Sequence, residues 1–565
     1  MTNELPESLR LDRRTSDVDR LADRYYDSLM DLDPAAATIE GIPGRETEYG
    51  DLSPEGALEH VRLARRTLAE AEGLRPQDDV DRVTLDALRE SLGLVVEMHE
   101  AGLGDWELNN IETPAHAVRQ VFDLMPQATP QDWAHIVGRM ENVRRALQGF
   151  RDTLADAARQ GRVAAARQVG ILADQLAAYA EPGGFFDGLA ADAAASDPTL
   201  DAKGRASAEK ARAAHAELAE YLRDELLPQA PERDAVGRER YRLRSREFLG
   251  ATIDLDETYA WGIDELDRII DEQQEAARRI SPGATIAEAK ELLNRDPSRR
   301  IEGKDALREW MQDLSDRAVE GLSREHFVID GPMRRLECMI APTQEGGIYY
   351  TGPSADFSRP GRMWWSVTEG EREFTTWSET STVYHEGVPG HHLQFSTSTA
   401  MAESINKWRA HGLWYSGHGE GWALYAERLM AGLGYLDDPG DMMGMLDGQR
   451  MRAARVVFDI GVHCELPIPG RWAEELSVEP GPWTPEIGYE FLKQNLDIPQ
   501  GQLDFEFNRY LGWYGQAPSY KVGQRIWEQL RDEALARGES IKDFHTRALK
   551  VGSVGLDTLR RAVSR

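Results

Sequence analysis

The stretch Tyr384-His385-Glu386-Gly387-Val388-Pro389-Gly390-His391-His392-Leu393-Gln394 decides how this chain reads. Three histidines and a glutamate surround a proline and two glycines. In a regular helix, the spacing H-E-x-x-H puts two imidazoles on one face, where both reach a single zinc ion and the glutamate stands beside it as a base. Here the histidine closing the motif comes six residues after the first. Six residues of ideal helix turn a side chain by about 120°, so an unbroken helix cannot bring His385 and His391 to one metal. Pro389 lacks the N–H that would bond to the His385 carbonyl, and Gly390 accepts the backbone angles of a bulge. The helix is therefore expected to break between the histidines and loop out two residues. His392 competes with His391: it shares the face of His385 but lies about 10.5 Å along the axis, a long stretch for one ion. His391 is the preferred second ligand. The alternative, histidines lining a polar turn, sits poorly with a chain that holds 13 histidines in 565 residues.

The third ligand is expected downstream. Gly417-His418-Gly419-Glu420-Gly421-Trp422-Ala423-Leu424-Tyr425-Ala426-Glu427-Arg428 reads as a helix entered through glycines, with Glu420 in its first turn and Glu427 two turns later on nearly the same face. Either carboxylate has the reach. Glu420 is favoured as the ligand because it stands at the helix mouth, and Glu427 then orients a ligand imidazole from behind. The competing reading makes both of them solvated helix charges. The expected cofactor is one Zn²⁺ ion.

At this point larger patterns join up. H-E-G-V-P-G-H-H-L-Q, then G-E-G-W-A-L-Y-A-E at 419–427, R-x-x-R-x-x-x-D-x-G-x-H from Arg452 to His463, and R-Y-L-G-W-Y-G-Q-A-P-S-Y-K-x-G from Arg509 to Gly523 together resemble the bacterial DUF885 family, whose function is unassigned. The resemblance is densest between about Tyr349 and Gly523 and extends weakly over nearly the whole chain. It implies a fold similar to the helical M32 carboxypeptidases and, more distantly, the M3 oligopeptidases. That is a mainly α, large helical zinc-peptidase fold with a small β-sheet beside the metal helix and a deep cleft. Those peptidases carry the regular five-residue motif ending in Gly-His. Aligning Gly390-His391 with that Gly-His leaves a two-residue insertion here.

Composition narrows the partners. The chain carries 66 basic and 98 acidic residues, a formal charge of −32, which repels nucleic acid and anionic membrane surfaces. No stretch approaches the roughly 18 to 20 apolar residues of a membrane span, and Met1–Ser8 lacks the basic-then-apolar pattern of a signal peptide. A cytoplasmic location is expected, and a homodimer stays open. Cys338 and Cys464 read as reduced thiols rather than a disulfide.

Amphipathic periodicity runs through most of the length. Segments 15–32, 54–72, 79–100, 131–158, 162–180, 203–227, 256–280, 304–320, 419–433, 441–462 and 520–537 read as helices. Extended signals gather in 326–379, at Phe327-Val328-Ile329, Cys338-Met339-Ile340, Gly347-Ile348-Tyr349-Tyr350 and Met363–Val367, and predict the small sheet. Gly183–Thr199 reads as a surface loop. Residues 1–325 are expected to form one wall of the cleft and 326–565 the metal-binding part, within one continuous fold.

A zinc site implies a general base, an oxyanion donor and substrate contacts. Glu386 is placed to take a proton from water and pass it to the leaving amine. His463 is the first choice for the oxyanion donor, at the end of a helix that also bears Arg452, Arg455 and Asp459; Tyr510 and Tyr514 are further catalytic candidates, and a phenol of Tyr510, Tyr514 or Tyr520 is the alternative donor. Arg455 and Asp459 are expected to pair on the exposed face or to support His463. Tyr520 is a candidate substrate contact, and Arg509 or Lys521 could hold a substrate carboxylate. Tyr350 and Arg359 are expected to touch substrate from the loop before the metal helix. The leading function is a zinc-dependent metallopeptidase on short peptides, carboxypeptidase cleavage included. The alternatives are a zinc amidase or isopeptidase, and a catalytically inactive helical binding protein.

Overall fold

Helix-start chemistry recurs along the chain. Ser16, Thr129 and Thr285 each close a capping box with the acid three residues on, and Pro54, Pro130 and Pro439 open helices, where a missing N–H costs nothing. The computed structural model describes Leu9 and residues 13–341, 347–368 and 370–564, so the reading of residues 1–8 lies outside the described residues. The protein is mainly helical. Asp17–Leu32, Pro54–Glu72, Asp79–Glu100, Pro130–Arg159 and Leu255–Ile280 match their expected segments closely. So do Ser416–Gly432, Pro439–His463 and Ser519–Ala536. The expected 162–180 helix starts only at Ala166, 203–227 is Asp201–Tyr221 continued by a π turn, and 304–320 runs on to Glu325.

Two expectations need correcting. The segment expected as a loop, Gly183–Thr199, contains the helix Phe185–Ser196, because Phe186, Leu189, Ala190 and Ala193 form a buried stripe. Phe327-Val328-Ile329 is not a strand. Phe327 and Ile329 are buried in the core, yet no neighbouring strand pairs with their backbone.

Five short strands are present among the described residues: β1 Arg300–Glu302, β2 Leu336–Ile340, β3 Ile348–Thr351, β4 Gly361–Trp365 and β5 Glu373–Thr375. β4 is central in a three-stranded sheet, parallel to β2 and antiparallel to β3. β5 pairs with β1 and leads directly into the helix Thr376–Glu386. The interior does not part at residue 325. One core joins apolar residues from Leu9 to Leu92 with others from Tyr241 to Val563, and a second occupies Trp106 to Leu226. Among the described residues no helix is long and apolar enough to cross a membrane. Cys338 and Cys464 are both free thiols.

Candidate metal centre

The motif helix Thr376–Glu386 ends at the glutamate, and a new helix, His391–Ile405, begins at the second histidine. Between them the chain folds back over the helix end. Gly390 N–H donates to the Tyr384 carbonyl at 3.1 Å, and a Cβ on Gly390 would stand 1.9 Å from the His385 carbonyl oxygen, so only glycine fits. Trp422 pins the loop to the helix Ser416–Gly432 by donating its indole N–H to the carbonyls of Pro389 at 2.9 Å and Gly390 at 3.2 Å.

This break brings three donors together. His385 Nε2 lies 3.3 Å and His391 Nε2 3.6 Å from Glu420 Oε2, and the two rings stand perpendicular with centroids 4.9 Å apart. The three ligating atoms lie within 4.8 Å of one another. An ion bound tetrahedrally at about 2.1 Å from each ligand sets its donors about 3.4 Å apart, which is the spacing of both imidazoles from the carboxylate here. The far side of His385 is fixed: Nδ1–H donates to Glu427 Oε1 at 2.8 Å, which leaves the Nε2 lone pair facing the other two donors. Glu427 in turn accepts from Gln449 Nε2 at 3.2 Å, and Gln449 Oε1 accepts from the buried Lys521 ammonium at 2.5 Å. Two imidazoles and a carboxylate make a donor set that suits zinc. Burial opposes a charge on His385, but its bonds to Glu420 and Glu427 override this and raise its pKa to about 10, so the site favours positive charge at this point.

His385, Glu386 and Glu420 open onto a cavity of about 1280 Å³. Glu386 is buried beside the donors. Burial pushes its carboxyl up, against the pull of His391 and His385. Across the cavity stand Arg452 and Arg455 of the helix Pro439–His463, Glu506 and Arg509 of the helix Gln500–Gly512, and Tyr520 of the helix Ser519–Ala536. Trp414 and Phe505 line it with exposed aromatic surface, and Trp414 lies 6.4 Å from the His391 ring.

Other expected site residues sit elsewhere. His392 is turned to the sheet, with Nε2 on the Met333 carbonyl at 2.8 Å and Nδ1 on the Tyr350 hydroxyl at 2.9 Å, so neither nitrogen is left for a metal. Tyr350 is thereby committed to tying β3 to the histidine helix, away from the cavity wall. Arg359 is exposed and outside the cavity lining. His463 is fully buried with Nε2 on the Tyr510 carbonyl at 3.0 Å and its ring stacked on Tyr241; the cavity does not reach it. Tyr510 is equally buried and its hydroxyl accepts from Arg455 Nε at 2.6 Å, while the Tyr514 hydroxyl bonds Glu107. Lys521 is spent on Glu265 at 2.8 Å, on Gln449 and on Gln524 at 3.0 Å. Arg455 and Asp459 are both buried and do not pair with each other. Arg455 bonds Glu506 and Tyr510, and Asp459 accepts from Tyr241 and Gly515. Tyr520 alone of the four expected tyrosines lines the cavity, its ring 5.2 Å from the Arg455 guanidinium.

Sequence reasoning passed over Glu506, Trp414 and Glu379. Glu506 stands three residues before Arg509, a helical spacing that signals an ion pair, and the pair forms at 3.2 Å. Glu379 lies seven residues before Glu386 on the same helix, a spacing that repeats a face, and burial pushes it up to about 7. Nothing in the pattern around Trp414 marks it.

Two solved structures share the fold. One, described as "the putative lipoprotein from Colwellia psychrerythraea", superposes with a TM-score of 0.80 at 20% identity, over 97% of this chain and 98% of its own. The other, "a putative lipoprotein of unknown function from Shewanella oneidensis", gives 0.71 at 15% identity, over 97% and 100%. No curated protein matches the chain. A family model described as bacterial protein of unknown function covers residues 34–563, almost the whole of this helical fold and all of its candidate metal centre, and the chain belongs to that family, DUF885.

Proposed function

We propose that this protein is a zinc-dependent metallopeptidase acting on short peptides. The observation that carries the reading is the convergence of His385 Nε2, His391 Nε2 and Glu420 Oε2 within 4.8 Å, beside the buried Glu386 and on a cavity of about 1280 Å³. That volume exceeds the roughly 300 to 1,000 Å³ of a typical small-molecule pocket. His385, His391 and Glu420 would hold the ion. When bound, it supplies Lewis acidity, polarising a carbonyl and bringing the pKa of a water down to about 7.

The remaining work falls to the protein. A Glu386 carboxylate oxygen accepts the proton of the attacking water and returns it to the leaving amine nitrogen. The Tyr520 phenol, which lines the same cavity and feels the charge of Glu420, donates its proton in a hydrogen bond to the oxygen that gains charge. Its pKa is raised by burial and by Glu420, which keeps that proton in place. Trp414 and Phe505 offer apolar surface to substrate side chains and exclude water from the reacting bond. The test is metal analysis of protein purified without chelator, then incubation with a peptide mixture and mass spectrometry of the products. Stoichiometric zinc and shortened peptides are expected, and Glu386→Gln should keep the zinc but yield no products. An intact peptide mixture with zinc-loaded protein would sink the reading.

A further inference from the structure

Three arginines line the cavity, and among the described residues Glu506 is the only one of its acids that pairs with any of them. Glu506 serves two: its carboxylate lies 3.2 Å from Arg455 Nη2 and 3.2 Å from Arg509 Nη1. Those two are completed by the Tyr510 hydroxyl and by Gln516 Oε1 at 2.6 Å. Arg452 is different. Its one hydrogen bond runs from Nη1 to the Gly448 carbonyl of its own helix at 3.2 Å, its Nε is buried without a partner, and among the described residues it forms no ion pair. An unbonded guanidinium donor costs about 1–3 kcal/mol or more where it is buried, and Arg452, half-buried on the cavity wall, has among the described residues no protein group to accept from the rest of its guanidinium. Its charge is felt at Glu386, Glu506 and Tyr520, which places it beside the groups that act on the reacting bond.

We propose that Arg452 receives the free carboxylate at the end of the substrate, so that peptides with an unblocked carboxyl terminus are the substrates and the cut falls next to that end. The proposal rests on the peptidase reading above. A guanidinium presents parallel N–H donors that match both oxygens of a carboxylate, and Arg455 and Arg509 add positive potential while their own bonds hold them still. A terminal amide offers one oxygen and no charge, and loses most of this.

Binding separates the two readings. Zinc-loaded Glu386→Gln protein is titrated with acetyl-Ala-Ala-Phe and with acetyl-Ala-Ala-Phe-amide by calorimetry. The free acid should bind about 10- to 100-fold more tightly, the range of a charge-assisted hydrogen bond. Adding Arg452→Ala should bring the acid down to the affinity of the amide and leave the amide unchanged. Arg452→Met, which keeps the apolar stem, should behave alike, and melting curves report whether either variant has unfolded. Equal binding of acid and amide, or a preference that survives both variants, overturns the proposal. Hydrolysis of the same two peptides by the wild-type protein is followed in parallel. No product from either, with the acid preference intact, sinks the peptidase reading and leaves the carboxylate site standing. Equal rates on both, with cuts away from the carboxyl end, overturn the carboxylate site and leave the peptidase reading.

Discussion

Each ligand position depends on a partner that can be removed by itself. His391→Ala should strip most of the zinc, because it deletes one of three donors, whereas His392→Ala should keep it, since both of its nitrogens are bonded to Met333 and Tyr350. Glu427→Gln should weaken zinc by about 10- to 100-fold through the loss of the carboxylate behind His385. Competition with a chromogenic chelator reads all three. Tyr520→Phe should lower kcat by about 10²- to 10³-fold with zinc retained; a wild-type rate would remove the phenol from the reaction. The clustering of His385, His391 and Glu420 was legible because metal chemistry demands particular residue types at short spacing. Which of the candidate histidine, tyrosines and basic residues line the cavity was not, because helix geometry decides it. His463 shares a face with Arg452, but 11 residues further on it lies about 16 Å along the axis, beyond the cavity. Tyr510 and Lys521 each stand one residue, about 100°, from a side chain that faces the cavity, and so point into the core.

At the level of elements, the broken helix is the decisive device. Pro389 and Gly390 announced the break, but the reason Gly390 is obligatory, the His385 carbonyl packed against its Cα, appears only in the fold. Gly390→Ala should therefore displace the loop and with it His391, lowering both the melting temperature and zinc occupancy. An unchanged melting curve with full zinc would show that the loop relaxes freely. Helices with a strong apolar stripe were legible nearly to their ends. Phe185–Ser196 was not, since an alanine-rich stretch after Gly183-Gly184 hides its pattern, and its helicity is decided by packing on the helix Asp201–Tyr221. A close contact was also invisible: a Cβ on Gly421 would meet the Gly523 backbone at 2.5 Å, so the helices carrying Glu420 and Tyr520 touch through glycines.

Over the whole molecule, buried acids give stability a pH slope. Burial raises Asp459 from 3.8 to about 7, despite bonds from Tyr241 and Gly515 that favour its charge. A carboxyl raised in the folded state contributes stability that is fully present below its unfolded value and is lost as the pH climbs through about 7. Asp459→Asn keeps an acceptor for both bonds, so it should flatten the fall in melting temperature between about pH 4 and pH 7. An unaltered slope would assign that fall to other groups. The arginines of the cavity carry a kinetic prediction as well. They lie inside a molecule of net charge −32, so under the proposed function an N-acylated peptide is repelled during approach and meets them only after it has entered. Long-range repulsion is screened by salt, with a Debye length of about 10 Å at 0.1 M, whereas contacts within the cleft are screened far less. Stopped-flow measurements should then show association accelerating with ionic strength while dissociation barely changes, the reverse of an enzyme that steers its substrate in.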